Sequence, residues 1–154
     1  MYAGSLGRVA LCITALWIFP AGLGKGYNRC ELAKELRTKH KASEKQLATW
    51  VCIARHESEF NTTAYGHAQS DHGLFQISGR YWCSEDEAGD SAINACGLSC
   101  DSLKDDDISD DFVCARRIYR QHQKLSGNGF NAWVVYRPHC VDGKGTKYLE
   151  GCFP

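Results

Sequence analysis

Trp50-Val51-Cys52-Ile53-Ala54-Arg55-His56-Glu57-Ser58-Glu59-Phe60 and, after a short polar interval, Ser70-Asp71-His72-Gly73-Leu74-Phe75-Gln76-Ile77-Ser78-Gly79-Arg80-Tyr81-Trp82-Cys83 are the stretches whose reading decides the fold. Ahead of the first, Ser43-Glu44-Lys45-Gln46 reads as a capping box. Leu47, Trp50, Val51 and Ala54 then recur at helical spacing, with Trp50 in the core. That helix should run to about Glu57, so its last turn projects Glu57 towards whatever follows. From Phe60 to Ile77, Asn61, Thr62, Thr63, Gly66, Ser70 and Gly73 interrupt short β-prone pieces. This pattern predicts a small antiparallel hairpin carrying Asp71.

Working outward, Cys30, Leu32, Ala33 and Leu36 make an apolar stripe that predicts a helix over 29–39. Residues 84–100 read as a polar loop bracketed by Cys83, Cys96 and Cys100. A third helix should start near Asp107, with Ile108, Phe112, Ala115 and Tyr119 on one face and Ile118 beside them. Gly127-Asn128-Gly129 breaks it. A short last helix, Asn131 to Tyr136, should stop before Pro138. These elements predict an α+β domain: a mostly helical lobe, a small antiparallel β lobe and a cleft between them.

The chain has 154 residues with 18 basic and 18 acidic side chains. This size suits one domain. The balance gives no reason to expect nucleic acid or an anionic membrane as partner. Val9 to Phe19 is apolar and ends in Pro20-Ala21-Gly22-Leu23-Gly24. The run is short for a membrane span and reads as a secretory signal over residues 1–24, cleaved after Gly24. The domain is then 25–154, with one acidic residue in excess. Cys12 leaves with the signal, and Cys30, Cys52, Cys83, Cys96, Cys100, Cys114, Cys140 and Cys152 remain. Eight cysteines in a secreted chain imply four disulfides, for which spacing alone leaves about 105 pairings open.

A carboxyl at a helix end facing another on a strand suits acid–base cleavage of a glycosidic bond, provided one stays protonated and the other ionised. Taken alone, each has a plainer reading. Glu57 could be a solvated glutamate at a helix end, and Asp71 a turn aspartate beside Gly73.

Ordered motifs across the whole domain resolve this. They are Lys25-Gly26-Tyr27-Asn28-Arg29-Cys30-Glu31-Leu32-Ala33, Cys52 through Glu57-Ser58, Asp71 through Ile77, Arg80-Tyr81-Trp82-Cys83, Asn94-Ala95-Cys96-Gly97-Leu98-Ser99-Cys100 and Gly127-Asn128-Gly129-Phe130-Asn131-Ala132-Trp133. Together they closely resemble the c-type lysozymes, the family that includes the α-lactalbumins. The resemblance implies disulfides Cys30–Cys152, Cys52–Cys140, Cys83–Cys100 and Cys96–Cys114. It implies Glu57 as general acid and Asp71 as nucleophile or charge stabiliser, lysozyme being itself the type case of this physics. It also implies substrate contacts from Gln76, Ser78, Tyr81, Trp82, Ser126, Ala132 and Trp133, with Trp133 packing against the acid.

Three departures from the family pattern bear on the cleft. Glu57 and Asp71 are only 14 positions apart, about four fewer than in typical lytic members, so the hairpin is shortened. Ser78 takes the place of an asparagine that usually hydrogen-bonds the aspartate. The stretch from Cys114 to Trp133 is about five residues longer, inserted around Arg120 to Leu125, and Ser126 takes the place of a sugar-contacting aspartate.

A second motif is Asp101-Ser102-Leu103-Lys104-Asp105-Asp106-Asp107-Ile108-Ser109-Asp110-Asp111. Acidic residues near a helix start are favourable in themselves. Five aspartates within seven positions nonetheless repel one another unless a cation relieves them. The run resembles the calcium elbow of α-lactalbumins and of some lysozymes. That resemblance implies structural Ca2+ on the carboxylates of Asp105, Asp110 and Asp111 and the carbonyls of Ser102 and Asp107. Asn61-Thr62-Thr63 is a glycosylation sequon.

The expectation is therefore a secreted, extracellular, monomeric muramidase acting on bacterial peptidoglycan or chitooligosaccharide, in antibacterial defence or digestion. One alternative is a non-lytic saccharide- or protein-binding member of the same family. Another is membrane-directed killing without hydrolysis, against which the near-neutral charge argues.

Overall fold

In the computed structural model, which describes residues 24–68, 70–85 and 93–154, three helices frame a very small sheet. The leader expected at 1–24 lies outside the described residues apart from Gly24, as does the middle of the 84–100 loop. Helix α1 (Arg29–Thr38) is capped by Asn28, whose side chain accepts from the Glu31 amide at 2.9 Å. It buries Leu32, Ala33 and Leu36 as the stripe predicts. Helix α2 (Glu44–Ser58) buries Leu47, Trp50, Val51, Ile53 and Ala54. The capping box is a correction: the Ser43 side chain makes no cap bond. Its backbone carbonyl instead accepts from both Gln46 and Leu47 at 2.9 Å, closing the first turn without the hydroxyl.

The expected hairpin has a third strand. β1 (Tyr65–Gly66), β2 (Asp71–His72) and β3 (Ile77–Ser78) form an antiparallel sheet in that order, two residues each. Gly66 and Ser78 lie directly opposite Asp71, one on each side. Helix α3 (Ser109–Ser126) starts two residues later than expected. The Asp107 carboxylate receives the Ser109 amide at 3.1 Å, so Asp107 flanks the helix instead of entering it.

The last helix is also corrected. In place of one helix over 131–136, a 3-10 turn (Gly129–Ala132) is followed by a wide turn (Tyr136–Cys140) that contains Pro138. Trp133 between them is extended, at φ −101° and ψ 122°. That break aims its indole N–H at the Phe75 carbonyl, at 3.0 Å.

Trp50 is the centre of the core. Phe75, Phe112, Phe130 and Trp133 meet its ring edge-on at centroid distances of 5.8, 5.3, 4.8 and 5.2 Å. Such pairs add about 0.5–1.5 kcal/mol each beyond area burial. They weld α2, the β lobe, α3 and the C-terminal turns into one unit. The disulfides are Cys30–Cys152, Cys52–Cys140, Cys83–Cys100 and Cys96–Cys114. The first two tie the C-terminal segment to α1 and α2, and the last ties the loop after the sheet to α3.

Candidate active site

Helix α2 ends abruptly just past Glu57. Glu59 turns into the left-handed region (φ 53°), and its amide reaches the Arg55 carbonyl at 3.1 Å. Phe60 follows at φ 69°, its amide on the Ala54 carbonyl at 3.3 Å. A buried Ser58 hydroxyl is shared between the Ala54 carbonyl (3.0 Å) and the Leu74 carbonyl (2.8 Å). This fixes the helix end against the sheet, so Glu57 is held over the β lobe.

Opposite it, Asp71 is positioned by backbone that tolerates little change. Gly73 has φ +73°, and a Cβ there would meet the Leu103 carbonyl oxygen at 2.0 Å. Gln76, itself left-handed at φ 47°, closes the turn by donating from its side-chain amide to the carbonyls of Gly73 (3.0 Å) and Ala64 (3.2 Å). Gln76 is thus committed to scaffolding even though it lines the cleft.

The cleft between these walls holds about 270 Å3 and is lined by Glu57, Asp71, Gln76, Ile77, Ser78, Tyr81, Trp82, Ile118, His122, Ala132, Trp133 and Val134. All but one of the cleft residues named from sequence come together here. Ser126 does not line it. Its hydroxyl bonds the His122 carbonyl (3.0 Å) and the Asn128 carbonyl (3.1 Å), finishing α3 instead. Sequence reasoning missed Ile77, Ile118, His122 and Val134. For His122 a signal existed, because it follows Ile118 by one helical turn.

The two carboxyls differ in their surroundings. Burial, and then the negative charge of Asp71, push Glu57 up to about 7. Both influences disfavour its charged form, and its place in the last turn of a helix adds to them. Asp71 is also raised by burial, but the His72 charge and a hydrogen bond from Ser78 oppose the shift. Ser78, the substitute for the family's asparagine, therefore still supplies polar support to the aspartate. The arrangement can hold a proton on Glu57 near neutrality while Asp71 carries the charge.

The aspartate run is only partly gathered. Asp111 is buried, and neither carboxylate oxygen reaches a full hydrogen-bond partner. Burial and then Asp110 push it up to about 9, with the Leu74 amide only partly opposing the shift. Asp105 accepts from the Asp107 amide at 2.7 Å, and Asp107 meets Lys39 at 3.3 Å. Among the described residues, the only metal-spaced group of His, Cys, Asp or Glu is His72 with Cys83 and Cys100. Those two cysteines are disulfide-bonded to each other, so they offer no thiolate. Asn61 is exposed, with its side-chain oxygen accepting from the Thr63 amide at 3.0 Å.

Comparison with known proteins agrees with this site. Residues 25–152 match the profile described as the C-type lysozyme/alpha-lactalbumin family. The chain is 40% identical to lysozyme C-2 of Sus scrofa over 149 residues, covering 94% of this chain and 98% of the relative. It is 42% identical to lysozyme C-1 of Sus scrofa over 132 residues, covering 83% and 98%. The crystal structure of a lysozyme from Litopenaeus vannamei superposes with a TM-score of 0.75 at 34% identity, over 84% of this chain and 98% of that one. A lysozyme from Equus asinus gives 0.72 at 38%, over 84% and 100%. With its fold, its four disulfides and its facing carboxyls, this chain belongs to the C-type lysozyme/alpha-lactalbumin family.

Proposed function

We propose that the protein is a muramidase that hydrolyses the β-1,4 bond between N-acetylmuramic acid and N-acetylglucosamine in bacterial peptidoglycan. The observation that carries this is the pair in the cleft: Glu57, pushed up to about 7, facing an Asp71 that Ser78 and His72 help to keep charged. Glu57 gives its proton to the leaving glycosidic oxygen. Asp71 faces the positive charge that grows at the anomeric carbon, as nucleophile or as electrostatic partner. Glu57, now a carboxylate, takes a proton from the incoming water, and the configuration is retained. Tyr81, Trp82 and Trp133, which line the cleft, offer the sugar apolar surface. The non-lytic alternative is not favoured, because the chain keeps both carboxyls and its relatives are lysozymes C. Clearing of a bacterial cell-wall suspension by residues 25–154 tests the reading. The wild type should clear it and Glu57→Gln should not; full clearing by the variant would remove Glu57 from the mechanism.

Calcium binding at the elbow belongs to the same proposal. The oxygen-donor set suits a hard cation. Asp111 needs either a proton or a cation to neutralise it where it lies. Asp105, Asp110 and Asp111 would hold the ion, with carbonyls from Ser102 and Asp107, after the loop closes on it. Calcium should raise the melting temperature, release protons on binding and be reversed by a chelator. An unchanged melting curve would refute it. Secretion after cleavage at Gly24, a monomeric state and a glycan on the exposed Asn61 complete the proposal. No described helix is long and apolar enough to cross a membrane.

A further inference from the structure

The inserted residues of α3 bring a feature to the cleft that the mechanism leaves unused. His122 lines the catalytic cleft beside Ile118, one turn earlier on the same helix face. It also lines a second hollow of about 330 Å3 with Tyr81, Trp82, Ile93, Ala95 and Gln121. The two spaces share Tyr81, Trp82 and His122. A glycan that runs from the carboxyls into the second hollow therefore crosses the boundary that Tyr81, Trp82 and His122 form. Among the described residues no lysine or arginine lines either space, and the nearest recorded guanidinium, that of Arg80, lies over the Tyr81 ring, 5.4 Å from its centroid. Of the other cations on α3, Arg117, Arg120 and Lys124 line a third hollow with Tyr119, Gln121 and Gln123, and Arg116 donates to the His40 carbonyl at 3.4 Å. The His122 imidazole makes no hydrogen bond or ion pair with any described residue, so its polar atoms are available to a ligand.

We propose that His122 is a specificity-determining residue that reads acidic groups on the glycan, favouring polymers whose sugars carry carboxylates over neutral chitin-type chains. The inference rests on the hydrolase reading and deepens it by naming what selects the substrate. The chemistry is direct. The lactyl carboxylate of N-acetylmuramic acid, or the acidic stem attached there, meets a cleft in which Asp71 carries negative charge at the reacting bond while Glu57 holds its proton. A negatively charged chain entering such a cleft needs a cation to offset that repulsion, and a protonated imidazole donates from both ring nitrogens. A neutral chitooligosaccharide has no such requirement.

The test uses a charge series at one position, His122→Gln, His122→Arg and His122→Glu, in the 25–154 protein at pH 5. Two defined substrates of equal length are compared: an alternating N-acetylglucosamine–N-acetylmuramic acid oligosaccharide and a chitooligosaccharide. Hydrolysis and equilibrium binding are both measured. Removal of one charge-assisted contact should lower kcat/KM on the acidic oligosaccharide roughly tenfold in His122→Gln, mainly through KM. The same variant should lower kcat/KM on the chitooligosaccharide much less, so the acidic-to-neutral ratio falls. His122→Arg should restore the acidic preference, and His122→Glu should lower it further. Equal losses on both substrates, no loss on either, or failure of arginine to restore the preference would each overturn the inference. If the wild type binds both oligosaccharides and cleaves neither, the hydrolase reading fails. The ratio of acidic to neutral binding across the charge series then still decides the role of His122.

Discussion

Replacing Glu57 by glutamine should make the protein more stable, and only at one end of the pH scale. The Glu57 carboxyl is pushed from 4.5 to about 7 by burial and by Asp71. The difference between those two values is equivalent to about 3.4 kcal/mol. The carboxyl is still partly in contact with solvent, which reduces the figure to about 2 kcal/mol. The sign follows from proton uptake. Between 4.5 and about 7 the folded chain holds more protons than the unfolded one, so stability falls as pH rises through that window. Below the window the glutamate costs nothing; above it the full cost is present. The amide of the Glu57→Gln variant never ionises. The gap in melting temperature between variant and wild type should therefore widen from about pH 4 to about pH 8 by roughly 6–10 °C. Any constant effect of the amide cancels in that difference. Thermal melts followed by circular dichroism suffice, with the lysis assay confirming that the variant is inactive. An equal gap at both ends of this range would refute the raised pKa, and with it the account of why Glu57 holds its proton.

Lysis should follow a bell in pH, lost above about 7 as Glu57 ionises and lost in acid as Asp71 takes a proton. Ser78→Ala removes a hydrogen bond that lowers the Asp71 value, so its acid limb should move to higher pH while the alkaline limb stays. Replacing Cys30 and Cys152, 122 positions apart, by alanine should cost about 5 kcal/mol by loop closure, against about 3 kcal/mol for Cys83 and Cys100, 17 apart. Denaturant titrations of the two double variants check that ranking. Gly73→Ala drives a methyl into the Leu103 carbonyl at a positive φ, and should lose more than about 2 kcal/mol in the same titration.

The elements legible in the sequence are those with a strong period. α1 and α2 lie within a residue or two of their expected bounds because long apolar stripes have one good burial solution. The strands are two residues long, too short for any alternation to show, so the third merges into a hairpin when read from sequence. The break at Trp133 leaves no local sign because its cause, a bond to Phe75, is 58 positions away. The disulfide pairing comes from resemblance; spacing alone does not supply it. Asp111 is instructive in another way. It lies three positions after Ile108 and four before Ala115, on the stripe that faces the core, and its acidic neighbours draw attention away from that register. Ser126 reaches the cleft only by matching positions across an insertion, where continuation of the helix moves the match elsewhere.

The aromatic cluster around Trp50 also gives the molecule an optical readout. Trp82 and Trp133 line the cleft, whereas Trp50 is sealed beneath, its ring 5.2 Å from that of Trp133. Excitation absorbed by Trp50 can pass to its neighbour over so short a gap. A saccharide settling on the cleft wall then alters the emission of the whole set. Because the Trp133 N–H is already spent on Phe75, the ligand acts on that indole through its polarisable face alone. Intrinsic fluorescence can thus follow occupancy of the cleft without a label, while collisional quenchers in solution reach Trp50 only when the core itself opens.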